Sequence, residues 1–119
     1  GLLPGMVAKR KGHVVNISSI GVLTNAPRFS AYVASKAALD AWTRCASSEF
    51  ADQGITFYCA VSTEMRQILA QAASVPLPRV GEAQDIANGV LFLCTEAANY
   101  MTGQELVIDG GMTAGSGRF

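Results

Sequence analysis

An apolar stretch that ends in two hydroxyls runs Gly12-His13-Val14-Val15-Asn16-Ile17-Ser18-Ser19. Its valines and isoleucine, bounded by a glycine, predict a strand over residues 13–18. Further along, apolar runs of strand length alternate with segments of helical periodicity, a pattern typical of a parallel sheet with right-handed crossovers. A hydroxyl at the carboxyl end of a parallel strand, such as that of Ser19, faces the crevice where open α/β sheets bind ligands. The stretch therefore predicts both a sheet strand and a polar group at the ligand-binding end of that sheet.

A tyrosine and a lysine lie one helical turn apart in the next segment, Tyr32-Val33-Ala34-Ser35-Lys36. Residues four apart share one face of a helix, so the Lys36 ammonium can lie beside the Tyr32 phenol. A nearby positive charge favours phenolate over phenol, which makes a tyrosine a usable acid or base near neutral pH. With Ser19 upstream at the strand end, the three groups could converge on one carbonyl or alcohol oxygen.

Three motifs together resemble the short-chain dehydrogenase/reductase family: the strand that ends at Ser19, the YxxxK segment with its continuation to Leu39, and the run Gly103-Gln104-Glu105-Leu106-Val107-Ile108-Asp109-Gly110-Gly111. They occur in the family order and nearly the family spacing over almost the whole chain. The resemblance implies an oxidoreductase that transfers hydride between a carbonyl and a secondary alcohol with NAD or NADP. It also implies Tyr32 as the acid/base, Lys36 as the group that holds the nicotinamide ribose and assists the tyrosine, and Ser19 as the group that polarises the substrate oxygen.

The resemblance implies three cofactor contacts, Tyr32, Lys36 and Thr63. In the family, a Pro-Gly turn after the second of these strands lines the nicotinamide pocket and precedes a Thr-x-Met segment. Here Val61 runs directly into Ser62-Thr63-Glu64-Met65, without that turn. We interpret Thr63 as the family threonine that hydrogen-bonds the cofactor carboxamide.

The glycine-rich turn of the family, which brings backbone N–H groups and a helix N-terminus against the pyrophosphate, has no counterpart in the sequence. Gly1, Gly5 and Gly12 precede a strand, and the glycines at 110–117 follow the last strand without opening a helix. The residue that would distinguish NAD from NADP belongs to the same absent part. We therefore expect residues 1–119 to form a single domain, the catalytic, C-terminal half of a Rossmann-like fold without its N-terminal cofactor motif.

The fold class we predict is α/β, a partial Rossmann-like parallel sheet of about three strands flanked by helices. At 119 residues the chain is about half as long as a doubly wound dinucleotide fold usually is. The predicted elements are a helix tail or loop at 1–11, strands at 13–18, 55–61 and 106–108, a loop at 20–28, and helices at about 30–52, 63–73 and 82–95.

The composition argues against several classes of partner and site. Nine basic and nine acidic residues give a formal net charge of zero, which leaves no electrostatic footprint for nucleic acid or an anionic membrane. No apolar run approaches the roughly 18 to 20 residues of a membrane span, and we expect a cytoplasmic protein. Cys45, Cys59 and Cys94 form no CxxC pair, which argues against zinc and disulfides; we interpret them as small buried hydrophobes.

The strand at 13–18 would have one bare edge in a sheet of three strands, and it is apolar and almost uncharged. We therefore expect a homo-oligomer, or a chain that needs a missing N-terminal half.

Three interpretations of function stay open. The chain is an NAD(P)-dependent oxidoreductase acting on a small carbonyl or alcohol, a non-catalytic oligomerisation module of the same fold, or a truncated or chimeric fragment without activity. Cofactor binding separates the first from the other two.

Overall fold

The computed structural model describes residues 1–25, 27–62, 76–77 and 79–114. Its helices and strands, in chain order, are α1 (Leu3–Lys9), β1 (Gly12–Ser19), α2 (Gly21–Thr24), α3 (Ser30–Phe50), β2 (Ile55–Ser62), α4 (Ala83–Leu93) and β3 (Glu105–Ile108), with short 3-10 turns at Ala51–Gln53 and Glu96–Ala98. The three predicted strands are present, each within one residue of its predicted ends. The helix predicted at 63–73 lies outside the described residues.

The three strands form one parallel sheet in the order β1-β2-β3. Gly12 pairs with Ile55 and the register continues to Ser19 and Ser62, so the carboxyl ends of β1 and β2 lie side by side. Within the described residues β1 therefore has a neighbouring strand on one side only. The predicted α/β class and the three-stranded parallel sheet are confirmed.

The central strand carries the core because it is covered on both faces. Residues 57–61 of β2 are almost completely buried. The Phe57 ring contacts Trp42 and Phe50 of α3, with ring centroids 5.7 and 5.8 Å apart. The Tyr58 hydroxyl is satisfied by donating to the Met101 carbonyl at 2.7 Å. The long apolar run of β2 is thus what a strand buried on both faces requires.

Helices α3 and α4 cover opposite faces of the sheet. Neighbouring residues of a strand point to opposite faces. On β1, Asn16 bonds Thr43 of α3, whereas Ile17 lines a groove with Ile86 and Val90 of α4. The site residues on α3 therefore lie on the face away from α4.

Two predictions made from the sequence are wrong, one about a loop and one about the burial of cysteines. The loop predicted at 20–28 contains the short helix α2, which follows β1 directly. Of the three cysteines, Cys59 is buried as predicted, but Cys45 and Cys94 are exposed. The two errors have different causes. A four-residue helix is too short to show a helical period, and a small residue alone does not reveal which helix face it occupies.

Candidate active site

Ser19 is the last residue of β1, and only 2% of its surface is exposed. Its Oγ accepts a hydrogen bond from the Gly21 N–H at 3.1 Å, at the start of α2. A serine hydroxyl carries one hydrogen and two acceptor lone pairs. Because the Gly21 amide uses an acceptor position, this bond orients the oxygen without using the hydroxyl hydrogen.

Lys36 links α3, the helix that carries Tyr32, to β1, the strand that ends at Ser19. Its Nζ lies 5.8 Å from the centroid of the Tyr32 ring, within the range of a cation–π interaction. The same Nζ donates to the Ile17 carbonyl at 2.7 Å, two residues before Ser19 on β1. The two side chains share a face because α3 is continuous through this alanine-rich segment, so the i, i+4 spacing is kept. The structure thus brings Lys36 to Tyr32 and to the strand of Ser19 at once.

Thr63, the predicted carboxamide contact, lies outside the described residues. The residue before it, Ser62, is the last of β2 and pairs with Ser19 in the sheet register.

A buried polar cluster beneath α3 was missed at the sequence level. Its centre is the Thr43 hydroxyl, which accepts from the Asn16 amide nitrogen at 2.9 Å and donates to the Leu39 carbonyl at 2.8 Å. The Cys59 thiol of β2 lies 3.3 Å from the same oxygen. The bond to Leu39 lies within α3, and the other two, from Asn16 and Cys59, fix α3 against β1 and β2. A sequence signal did exist, since Lys36, Asp40, Thr43 and Ser47 recur at the spacing of one helix face.

Asp40 and Cys59 complete this cluster. Asp40 is 3% exposed, and its Oδ1 has no hydrogen-bond partner among the described residues. Burial raises the pKa of the Cys59 thiol to about 11; the nearby Asp40 acts in the same direction and the Thr43 hydrogen bond opposes it. Because the thiolate is the nucleophilic form, Cys59 is a structural residue at neutral pH.

Asp109, which follows β3, makes a turn. Its Oδ1 accepts from the Gly111 N–H at 2.9 Å, and its Oδ2 accepts from the Thr113 N–H at 2.7 Å and the Thr113 hydroxyl at 2.6 Å. Burial pushes the pKa of this carboxyl upward, but the hydrogen bonds from Thr113 and Gly111 outweigh it and hold the pKa below its usual range. Both carboxylate oxygens are therefore used in hydrogen bonds within the turn.

A groove lies between β1 and α4, on the sheet face opposite the site. It has a volume of about 590 Å³, and its walls are apolar: Ile17, Ala83, Ile86, Ala87, Val90, Leu91 and Cys94. None of the described residues that line the groove carries a charged side chain. Among the described residues, no three His, Cys, Asp or Glu side chains are grouped to hold a metal ion. No helix in the same part of the chain is long and apolar enough to cross a membrane.

The chain is similar to known proteins of one family in both sequence and fold. A protein-family model described as "Enoyl-(Acyl carrier protein) reductase" matches residues 2–113. A solved structure of a putative short-chain dehydrogenase/reductase from Burkholderia xenovorans superposes with a TM-score of 0.86 at 30% identity, over 95% of this chain and 48% of that one. The chain belongs to the short-chain dehydrogenase/reductase family. Its oxidoreductase lineage and its Rossmann-like sheet are those that the motifs implied.

Two curated relatives show how much of a family member the chain represents. It is 37% identical over 128 residues to "Inactive 2-(S)-hydroxypropyl-CoM dehydrogenase 2" of Xanthobacter autotrophicus, covering 94% of this chain and 56% of the relative. It is 37% identical over 122 residues to the 3-oxoacyl-[acyl-carrier-protein] reductase FabG of Staphylococcus aureus, covering 92% of this chain and 48% of the relative. The chain spans about half the length of the curated relatives it matches.

Proposed function

We propose that this short-chain dehydrogenase/reductase chain carries the proton-transfer half of an NAD(P)-dependent oxidoreductase acting on a small carbonyl or secondary alcohol. The observation that carries the proposal is Lys36, whose ammonium lies over the Tyr32 ring and bonds the strand of Ser19. A cation in that place favours loss of the phenol proton, which is what an acid/base tyrosine needs.

Each site residue has a distinct task in this proposal. Tyr32 gives a proton to the substrate oxygen in reduction and takes it back in oxidation. Ser19, oriented by the Gly21 amide, donates a hydrogen bond to the same oxygen and stabilises charge that develops there. Lys36 assists Tyr32 electrostatically, and Thr63 would hold the cofactor carboxamide.

The nicotinamide end of a cofactor fits the described residues, because a half-buried lysine ammonium at the carboxyl end of β1 suits the ribose hydroxyls. Tyr32 and Lys36 would hold that end, and NAD or NADP, when bound, supplies or accepts the hydride. The described residues contain no glycine-rich turn between a strand and a helix that could hold the pyrophosphate. A pyrophosphate site, which the proposal requires, would lie outside the described residues.

The remaining parts of the proposal concern the whole protein. Residues 1–119 form a single domain that works in the cytoplasm, as a homo-oligomer or with a separate N-terminal half. Its formal net charge of zero supports a small-molecule substrate over nucleic acid as the binding partner.

A second candidate is a non-catalytic fragment or oligomerisation module of the same fold. It is favoured by one observation, that the chain spans about half the length of its relatives. This candidate predicts a folded or self-associating chain that binds no nicotinamide cofactor.

The test is a calorimetric titration of NADH and NADPH into the chain at a concentration where its oligomeric state is known. Saturable binding that weakens in Lys36→Met supports the oxidoreductase. A turnover assay then compares Tyr32→Phe with Tyr100→Phe, which is a matched control because Tyr100 is fully exposed. No binding of either cofactor at millimolar concentration would refute the oxidoreductase proposal and leave the module.

A further inference from the structure

Arg28 lies two residues before α3, the helix that carries Tyr32, and its backbone is left-handed. It follows Pro27 in the connection from α2 to α3, and its φ is 70°. Residues other than glycine rarely adopt this conformation, and the usual exceptions are Asn and Asp. Glycine would therefore fit position 28 with less strain than arginine does.

The charge of Arg28 is also unfavourable for the helix that follows. α3 is 21 residues long, and its first turn contains no acidic residue. The N-terminal end of a helix carries a partial positive charge, which disfavours a cation nearby. Neither the backbone at position 28 nor the electrostatics of α3 therefore explains why an arginine stands there.

Arg28 has no partner in the described part of the chain that would offset these costs. Other basic side chains at the carboxyl end of the sheet are engaged within the chain. Lys36 bonds the Ile17 carbonyl at 2.7 Å, and Arg79 forms an ion pair with Asp85 at 2.7 Å. Arg28 is exposed and makes neither a hydrogen bond nor an ion pair with any residue that the structure describes. Its guanidinium is thus available to a ligand.

The place of Arg28 in the fold puts this guanidinium beside the candidate active site. β1 ends at Ser19, and α3 returns along the sheet before the parallel strand β2 begins, so the start of α3 lies at the same end of the sheet as Ser19. Helical side chains lean toward the N-terminus of their helix, which carries the Tyr32 ring toward the turn that Arg28 precedes. A substrate whose oxygen contacts Tyr32 would have Arg28 on the side toward which the tyrosine leans.

We propose that Arg28 is a specificity-determining residue that binds the carboxylate of the substrate, so that the reaction takes an oxo acid or a hydroxy acid in preference to a neutral ketone or alcohol. This inference rests on the proposed function, because Tyr32 is what fixes the reacting oxygen. A guanidinium forms two parallel hydrogen bonds with a carboxylate. One guanidinium also matches the single charge of a carboxylate, whereas a phosphate monoester carries more than one charge at neutral pH.

The test uses two ligands with the same methyl ketone, 4-oxopentanoate and its neutral methyl ester. Each is titrated into the chain without cofactor, and binding is followed by NMR shifts of the backbone amides of α3. 4-Oxopentanoate should bind about fivefold to tenfold more tightly than the ester. Arg28→Gln should make the two affinities equal, and Arg28→Lys should keep part of the preference because it retains the charge without the planar fork. Lys11→Gln removes an exposed charge at the other end of the sheet and should leave the preference unchanged.

Three results of these titrations would overturn the proposal: no binding of either ligand, equal affinities for acid and ester in wild type, or a preference that survives Arg28→Gln. Acetate that binds as tightly as 4-oxopentanoate would also overturn it, since the site would then hold an anion without recognising a ketone. Arg28→Gly separates a structural role from a binding role. Glycine adopts the left-handed backbone without strain, so a thermal midpoint that falls by more than about 4 °C would show that Arg28 serves the fold instead.

The outcome is separate from that of the proposed function because the titrations contain no cofactor. A chain that binds NADH and treats the two ligands alike would overturn only the role of Arg28. A chain that prefers the acid through Arg28 and binds no cofactor would refute the oxidoreductase and leave the carboxylate contact standing.

Discussion

The Thr43 hydroxyl forms the hydrogen bonds that hold α3 on the sheet. Replacing Thr43 by valine should therefore lower the free energy of unfolding measurably. Valine has nearly the shape of threonine, so Thr43→Val leaves no cavity at a position that is 1% exposed. It does remove the acceptor of the Asn16 amide, which is only partly exposed. An unsatisfied buried donor costs roughly 1 to 3 kcal/mol, and since Asn16 is half-buried we expect a loss of about 1.5 kcal/mol.

Urea unfolding followed by circular dichroism measures this loss. The matched variant is Thr43→Ser, which keeps the hydroxyl and removes one buried methyl, for a cost of about 0.8 kcal/mol. Thr43→Val should therefore be the less stable of the two, with a midpoint of thermal unfolding lower than wild type by about 6 °C.

A double-mutant cycle identifies the cause. In an Asn16→Ala background the donor is gone, so Thr43→Val should cost about 1 kcal/mol less than it does in wild type. The reasoning is refuted if Thr43→Val unfolds within about 0.5 kcal/mol of wild type, or if its cost is the same with and without Asn16.

Three further predictions concern the site and the surface. Tyr32→Phe should nearly abolish any NAD(P)H-dependent turnover while the circular dichroism spectrum stays unchanged, and turnover equal to that of Tyr100→Phe would contradict the assignment. The pKa of Asp85 is held well below its usual range by the Arg79 guanidinium, so its ion pair stabilises the fold above about pH 3.8 and this contribution is lost as pH falls further. The difference in unfolding free energy between wild type and Asp85→Asn should therefore shrink between pH 5 and pH 2; a constant difference would refute it. Ellman's reagent at pH 8 should label the two exposed cysteines in the folded chain and reach Cys59 only after denaturation, because that thiol is fully buried and burial raises its pKa; native labelling of three thiols would contradict this.

The sheet could be predicted because its signal is local. Each strand is an apolar run bounded by glycine or polar residues, and the alternation with helices leaves few topologies for parallel strands. The site residues could be named for the same reason, since YxxxK and the serine at the end of β1 are short motifs. What a local pattern cannot give is the partner of a side chain, and the Lys36 bond to the Ile17 carbonyl depends on an edge that exists only in the folded sheet.

The polar cluster beneath α3 illustrates a different limit. Apolar periodicity is the usual guide to the buried face of a helix, but three of the four buried positions of α3, Asp40, Thr43 and Ser47, are polar. A search for an apolar stripe therefore passes over the face that contacts the sheet. Their burial becomes understandable only when the polar groups opposite them, Asn16 and Cys59, are known from the strand register.

A polar face between helix and sheet suits the proton-transfer site that we propose. Apolar side chains pack without strong directional preference, so a helix held only by them can shift along the sheet at small cost. Hydrogen bonds are directional, and those that Thr43 accepts from Asn16 on β1 and from Cys59 on β2 hold α3 in one position on the sheet. Tyr32 lies on that helix and Ser19 on β1. Whatever fixes one element against the other therefore also fixes the two groups that, in the function we propose, meet at a single substrate oxygen. Thr43→Val should accordingly lower turnover, where turnover exists, by more than its effect on the folded fraction accounts for.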